Sequence, residues 1–471
     1  MTGPRLERGE GGERAEAHGG DARHPRDGLL RDLSLPDATF LVVASVIGSG
    51  IFLTPGRIAD LLPHAGVFLL VWVVGGLLSL AGALANAELG AMFPRAGGDY
   101  VYLREAFHPA AGFLVGWLSF FVIQAGTVAT LAVGFSAGLA ELVPLGAGEQ
   151  VALAVVLVLA TSLLNFYGVR HGARANNVTS VLKVGALMLF VAAGFSTGRG
   201  DAAQLVSSDV GSEAIGLSAF GLALSPVLFS YLGWNASVYV ASEIRDPAHN
   251  VPRSLFIGLA FVIVIYLAVN ALYLYALPLS ALRQTANAGE ATAAALFGRV
   301  SGTLVALLVL TSILGTLNAT ILTTPRIAYA MALDGLFFRG VDRVHARHRT
   351  PAMAIAVLAL ASLTLVVLLR SFPSVLDYTT FAIVIATIAD TAALYALRRR
   401  APDRPRPYRA WGYPVVPALY IVANLAIAAN MLVQRPFECG IGLATLALGL
   451  PFYWWFTRRL PRPDSSHSLQ P

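Results

Sequence analysis

About twelve apolar stretches, each on the order of 20 residues, recur along this chain and leave little room for any other organisation. A backbone buried in hydrocarbon must satisfy its own hydrogen bonds, so such stretches form helices. A membrane β-barrel would instead show short segments of alternating polarity. The composition agrees: 56% of residues are hydrophobic and 13% charged, where soluble domains carry about 25% charged residues. The spans fall at 37–61, 65–92, 109–140, 150–168, 176–197, 214–243, 253–277, 300–332, 352–369, 374–397, 413–433 and 438–457. The fold class expected is an all-α integral membrane protein of 12 transmembrane helices.

The formal charge of +6 would suit a nucleic-acid partner, but its distribution argues against one. Only Arg57, Arg199, Arg283, Arg299, Arg370 and Arg435 fall in the odd-numbered loops, and Lys183 falls within a span. The remaining arginines lie in the N-terminal tail, the even-numbered loops and the C-terminal tail, which the positive-inside rule places in the cytoplasm. The run 398-RRRAPDRPRPYR-409 is one such topology determinant. Residues 1–33 lack the apolar core of a cleavable signal peptide and are expected to be a disordered cytoplasmic tail, with 461–471 a second tail. The single cysteine, Cys439, excludes an internal disulfide framework and a cysteine-rich metal site. No phosphate-binding loop and no His-Glu-x-x-His pair occurs. The sequence therefore offers no catalytic constellation, no cofactor site and no metal site.

Two spans are interrupted. The first contains 45-SVIGSGIFLTPG-56, where two glycines flank a serine. Glycine weakens a helix by about 1 kcal/mol relative to alanine, and broken backbone is tolerated in a membrane only against a cavity or other protein. Freed amides of Gly48, Ser49 and Gly50 would suit a carboxylate. The sixth span carries Pro226 and then the polar, glycine-containing Gly233-Trp234-Asn235. Freed carbonyls there would suit an ammonium. Interruptions at corresponding positions of two halves point to a transporter site near the mid-plane, and a zwitterion presents both charges. Lys183, the only lysine, lies inside the fifth span and marks either a coupling site or a side chain reaching for the interface. Glu88 and Asp390 are candidate proton relays or paired acids, and Asn318 either faces the pocket or bonds between helices. The charged 243-EIRDPAHNVPRS-254 is a candidate cytoplasmic gate.

These segments resemble the amino acid–polyamine–organocation superfamily, and within it the L-type amino acid transporter branch. The stretch 46-VIGSGIFLTPG-56 is similar to that family's first-helix signature. So are 82-GALANAELGAMFPRAGGDYVYLREAF-107 to its second helix and following loop, and 229-FSYLGWNASVYVASEIRDPAHNVPRS-254 to its sixth helix. Further likenesses are 315-GTLNATILTTPRIAYAMALDG-335 and 436-PFECGIGLATLALGLP-451, so the resemblance covers residues 34–460. It implies a leucine-transporter-like fold: a first repeat over 34–200, an inverted second repeat over 201–400, and two further helices over 401–460.

By the same resemblance, Gly48, Ser49 and Gly50, with Ile47 and Ile51 beside them, hold the substrate carboxylate. Carbonyls near Phe229, Ser230 and Tyr231 hold the amino group. Phe229 shields the site, and Gly233, Trp234 and Asn235 shape the side-chain pocket. Lys183 matches a lysine that stands where sodium binds in sodium-coupled relatives, which implies sodium independence. Two departures matter. The loop 141–150 lacks the cysteine that joins eukaryotic L-type carriers to a heavy subunit, so no disulfide-linked partner is expected. The third span carries Gln124 and no acid, where some proton-coupled relatives place a glutamate, which counts against proton symport. The expected function is a secondary carrier of a neutral L-amino acid, by exchange or proton-assisted uptake. A basic amino acid or polyamine antiporter and a non-transporting amino acid sensor remain alternatives. The neutral preference follows from the lack of any evident carboxylate near either break.

Overall fold

The computed structural model describes residues 29–140, 142–207, 216–285, 287–298, 300–369, 372–434 and 436–458. Most of the expected N-terminal tail and all of the 461–471 tail lie outside them. Among the described residues the regular elements are helices and no strand forms; a lone parallel bridge joins Leu33 to Ile244. Nine of the described helices are long and apolar enough to cross a membrane, and Leu217–Ser230 and Ala352–Val367 are shorter apolar helices.

The first span begins where the sequence signals a helix start. Ser34 caps α1 (Leu35–Val46), its amide donating to Asp37 Oδ2 at 2.9 Å while Pro36 occupies the first turn. This reciprocal cap satisfies donors that a helix start leaves free. The helix stops at Val46 and restarts as α2 (Gly50–Leu53), followed by α3 (Pro55–Leu61) behind Pro55. Next come α4 (Ala65–Met92) and a short helix α5 (Asp99–Ala106). The third span is α6 (Pro109–Leu118), a π-helical turn over Ser119–Gln124, and α7 (Ala125–Ala140). Such π turns frequently mark functional sites. Then follow α8 (Ala147–Phe166) and α9 (Val169–Ser196).

The sixth span is two pieces, α10 (Leu217–Ser230) and α11 (Ala236–Tyr239), parted by a turn in which Gly233 takes φ +99°. Beyond α12 (Pro247–Ala276) stand two short helices not expected from the sequence, α13 (Leu279–Arg283) and α14 (Ala288–Phe297). The eighth expected span is divided by Pro325 into α15 (Val300–Thr323) and α16 (Pro325–Leu333). The chain closes with α17 (Ala352–Leu369), α18 (Phe372–Arg400), α19 (Val415–Gln434) and α20 (Pro436–Thr457).

Helix α1 sits at the centre, packed on α9, α12 and α15. Charges buried away from water must be paired, and two pairs hold the ends of spans together. Arg326, at the start of α16, donates to both carboxylate oxygens of Glu243 at 2.7 and 3.2 Å, with both side chains essentially unexposed. Glu88 accepts from Arg398 at 3.0 and 2.6 Å and from the Ala410 amide at 2.7 Å, and Arg406 lies 3.3 Å away.

Candidate functional site

The two interruptions face each other across a cavity of about 80 Å³. One wall is Gly48, Ser49 and Gly50, and the other is Phe229, Ser230, Gly233 and Asn235. Gln124 and Thr127 from the third span, Thr316 and Thr320 from α15, and Thr387 from α18 complete it, with Asp99 at one side. The π turn brings Gln124 into this lining.

The backbone at the first break is partly spent. The Gly48 amide donates to Val46 O at 2.8 Å, which corrects the expectation that all three Gly-Ser-Gly amides are free. Among the described residues, the amides of Ser49, Gly50 and Ile51 find no backbone acceptor. They are the donors that the start of any helix leaves open. At the second break Phe229 O accepts from Leu232 N and Ser230 O from the Tyr266 hydroxyl, whereas Tyr231 O accepts nothing among the described residues. The site thus keeps open donors on the wall formed by Ser49 and Gly50.

The carbonyls orphaned by the first break are held from behind. Lys183 Nζ donates to Ala44 O at 2.7 Å and Ile47 O at 2.6 Å, and its side chain is fully buried. Thr316 Oγ1 reaches the same two carbonyls at 2.9 and 3.0 Å, and Ser312 Oγ donates to Ile47 O at 2.9 Å. The Tyr266 hydroxyl lies 2.9 Å from both Val46 O and Ser230 O, bridging the two breaks. None of Thr316, Ser312 and Tyr266 was singled out from sequence, because a hydroxyl in an apolar run carries no mark of which carbonyl it will serve.

Close approach explains the glycines. A β-carbon on Gly50 would lie 2.7 Å from Ser230 Oγ and 2.8 Å from Ser230 Cα. One on Gly233 would lie 2.7 Å from Ser45 O, at a positive φ that side chains disfavour. The two broken segments are in backbone contact.

The other singled-out residues divide. Ile47 and Ile51 are buried beside the break but do not line the cavity. Tyr231 turns away, stacking near Tyr266 and donating to Trp72 O at 3.3 Å. Trp234 borders a smaller neighbouring cavity of about 30 Å³, which shares Phe229 and Thr387 with the first. Asn318 accepts from Asn165 at 2.9 Å and donates to Gly172 O at 3.0 Å, joining helices away from the lining. Glu88 is held by the arginines already described. Asp390 is buried beside Asp99 without reaching the cavity surface.

The expectation of no carboxylate near either break is overturned. Asp99, on α5 outside the spans, folds back to the cavity and accepts from Tyr239 OH at 2.7 Å, and Asn235 donates to that same hydroxyl at 3.0 Å. Burial pushes the Asp99 carboxyl above its ordinary value of 3.8.

A cavity shared by two broken spans is the arrangement of a solute carrier, and comparison with known proteins agrees. Residues 33–449 match the amino acid permease family. The chain belongs to that family, within the amino acid–polyamine–organocation superfamily. Among its relatives, the serine/threonine exchanger SteT of Bacillus subtilis is 31% identical across 93% of this chain and 99% of its own length. The human large neutral amino acids transporter small subunit 2 is 30% identical across 90% of this chain and 80% of its own. The human b(0,+)-type amino acid transporter 1 is 27% identical, covering 93% and 92%. This permease-family member is a multi-pass membrane protein, and its family and relatives are transporters rather than enzymes.

Proposed function

We propose that this permease is a secondary active transporter of a small neutral L-amino acid across the cytoplasmic membrane. It works by alternating access through twelve spans, arranged as a five-plus-five inverted repeat with two added helices. Both termini are cytoplasmic, as the arginine distribution favours. The observation that carries the reading is the pair of interruptions closing on one cavity: Ser49 and Gly50, whose amides have no backbone acceptor among the described residues, line it together with Phe229, Ser230 and Gly233 of the sixth span. The Ser49 and Gly50 amides take the substrate carboxylate, and the carbonyls of Phe229 and Ser230, each with a second lone pair, take its ammonium.

Size supports a small side chain. The cavity, about 80 Å³, is smaller than the roughly 150 Å³ that admits benzene. The serine/threonine exchanger among the relatives points the same way. Lys183 supports sodium independence, since its ammonium already occupies the carbonyls of Ala44 and Ile47. The loop 141–150 offers no cysteine for a disulfide-linked heavy subunit.

Counterflow in proteoliposomes tests this. Vesicles loaded with unlabelled L-serine should take up labelled L-serine and L-alanine well above unloaded vesicles, with sodium absent. No counterflow of any amino acid would refute transport and favour the non-transporting sensor. Asp99 on the lining gives the basic amino acid or polyamine antiporter a specific foothold. Stronger competition by L-arginine or putrescine than by L-alanine would establish that second reading instead.

A further inference from the structure

A further cavity, of about 560 Å³, lies where the loop after α16 meets the end of α20. The chain leaves α16 at Leu333 and turns at Gly335 and Gly340, both at positive φ. That loop forms one wall, with Phe337, Phe338, Arg339 and Arg343, and the last turns of α20 add Trp455 and Phe456. The volume falls within the roughly 300–1,000 Å³ of small-molecule sites. Loop and helix end both lie on the face that the proposed orientation puts in the cytoplasm.

The two halves of the lining differ in chemistry. Phe338 packs on Phe456 and Trp455, with ring centroids 5.4 and 6.4 Å apart. Phe337 lies against Phe120 and Phe121 of the π turn, at 5.6 and 5.9 Å. These stacks fix the apolar wall, which therefore does not collapse into the space. Trp455 is 40% exposed and Trp454 65%, and tryptophan at the end of a span sits at the level of the lipid headgroups.

The polar half is cationic. Arg339 and Arg343 are both exposed, and among the described residues no carboxylate pairs with either guanidinium. The acids of the same loop are engaged elsewhere. Asp342 accepts from the Gly340 amide at 3.2 Å, and Asp334 accepts from the Tyr100 hydroxyl at 2.6 Å and pairs with Arg104.

We infer that this cavity binds the headgroup of an anionic phospholipid of the cytoplasmic leaflet. Guanidinium groups match phosphate oxygens through paired hydrogen bonds, and the aromatic wall takes the glycerol and the first acyl carbons. Basic pockets beside spans on the cytoplasmic side hold such headgroups. Free phosphate would leave the aromatic half uncovered, and a zwitterionic lipid would bring its own cation to two arginines. Residues 459–471 carry Arg459 and Arg462 against a single acid, Asp464, and would add like charge.

The test titrates the purified full chain in detergent with dioleoylphosphatidylglycerol, dioleoylphosphatidylcholine or inorganic phosphate. Melting temperature is followed, and native mass spectrometry counts bound lipid. Each arginine near an anionic headgroup contributes roughly fivefold in affinity. Phosphatidylglycerol should therefore half-saturate about 30-fold below phosphatidylcholine, and phosphate alone should leave melting unchanged. Arg339→Gln combined with Arg343→Gln should bring the two lipids level. Arg347→Gln combined with Arg349→Gln, on the same loop but outside the cavity, should keep the phosphatidylglycerol midpoint within about twofold of wild type. Four results would each overturn the proposal: equal midpoints for the two lipids, equal losses from the two arginine pairs, stabilisation by phosphate alone, or lipid binding that appears only once residues 459–471 are removed. None of these measurements involves transport, so the carrier reading is tested separately.

Discussion

Replacing Lys183 with alanine probes how the first break is held. Its ammonium makes two charge-assisted hydrogen bonds, to Ala44 O and Ile47 O. Each such bond is worth about 1.5–3 kcal/mol, so about 3–6 kcal/mol of gross interaction disappears. Two effects offset it. The cost of burying the ammonium disappears as well, and Ala44 O and Ile47 O keep Thr316, with Ser312 also on Ile47 O. Neither carbonyl is left bare, so the net loss should fall near the low end, about 2–3 kcal/mol. That loss disfavours the cavity-forming backbone by roughly 30- to 200-fold. Lys183→Ala should still purify as a single species with a lowered melting temperature, and its counterflow should fall at least about tenfold. The KM for L-serine should rise, because the displaced amides belong to the carboxylate site. Counterflow and KM both within about twofold of wild type would refute the claim that this ammonium holds the break open.

Gly50→Ala should abolish transport, because its β-carbon would press on Ser230 backbone at 2.8 Å; normal uptake would show that the two walls are not in fixed contact. Tyr266→Phe should cost about 1 kcal/mol in thermal stability and weaken L-serine affinity, since one hydroxyl serves Val46 O and Ser230 O. Glu243→Ala should cost about 3–5 kcal/mol by leaving Arg326 buried and unpaired, seen as a large fall in melting temperature. The carboxyl of Asp99 has its proton affinity raised by burial above the ordinary 3.8. The folded state then binds the proton more tightly than the unfolded chain, so stability declines as pH rises from that value through the raised one. A pH series of melting temperatures should show that decline in wild type and a flatter profile in Asp99→Asn.

The parts legible in the sequence were those that depend on backbone covalent structure and long apolar runs. Gly48-Ser49-Gly50 and Gly233 announce a break because glycine is the residue that permits it, and both breaks lie where expected. Lys183 was conspicuous because an ammonium in a span must have partners. What the sequence hides is which partner a polar side chain takes. Glu88 and Asp390 look alike in their runs of small apolar residues. One is locked to Arg398 from 310 positions away, and the other meets a carboxyl from α5. Asp99 follows two glycines in a loop, and nothing local shows that α5 returns it to the cavity. The helices α13 and α14 escaped because their apolar runs are too short to cross a membrane.

The contacts between the breaks also bear on how access alternates. Gly233 lies against Ser45, Gly50 against Ser230, and the Ser230 hydroxyl is 3.0 Å from Thr54 Oγ1. Packed backbone of this kind does not deform continuously. A substrate that draws the open amides toward its carboxylate therefore shifts the sixth-span turn as well. That turn carries Asn235, and Asn235 leads through Tyr239 to Asp99. The cavity wall at Asn235 and the Asp99 carboxyl are thus linked through the Tyr239 hydroxyl. It follows that Asn235→Ala and Tyr239→Phe, which cut this chain at successive links, should weaken L-serine counterflow to a similar extent. A loss in Asn235→Ala alone would mean that Asn235 only shapes the cavity and that the breaks communicate by another route.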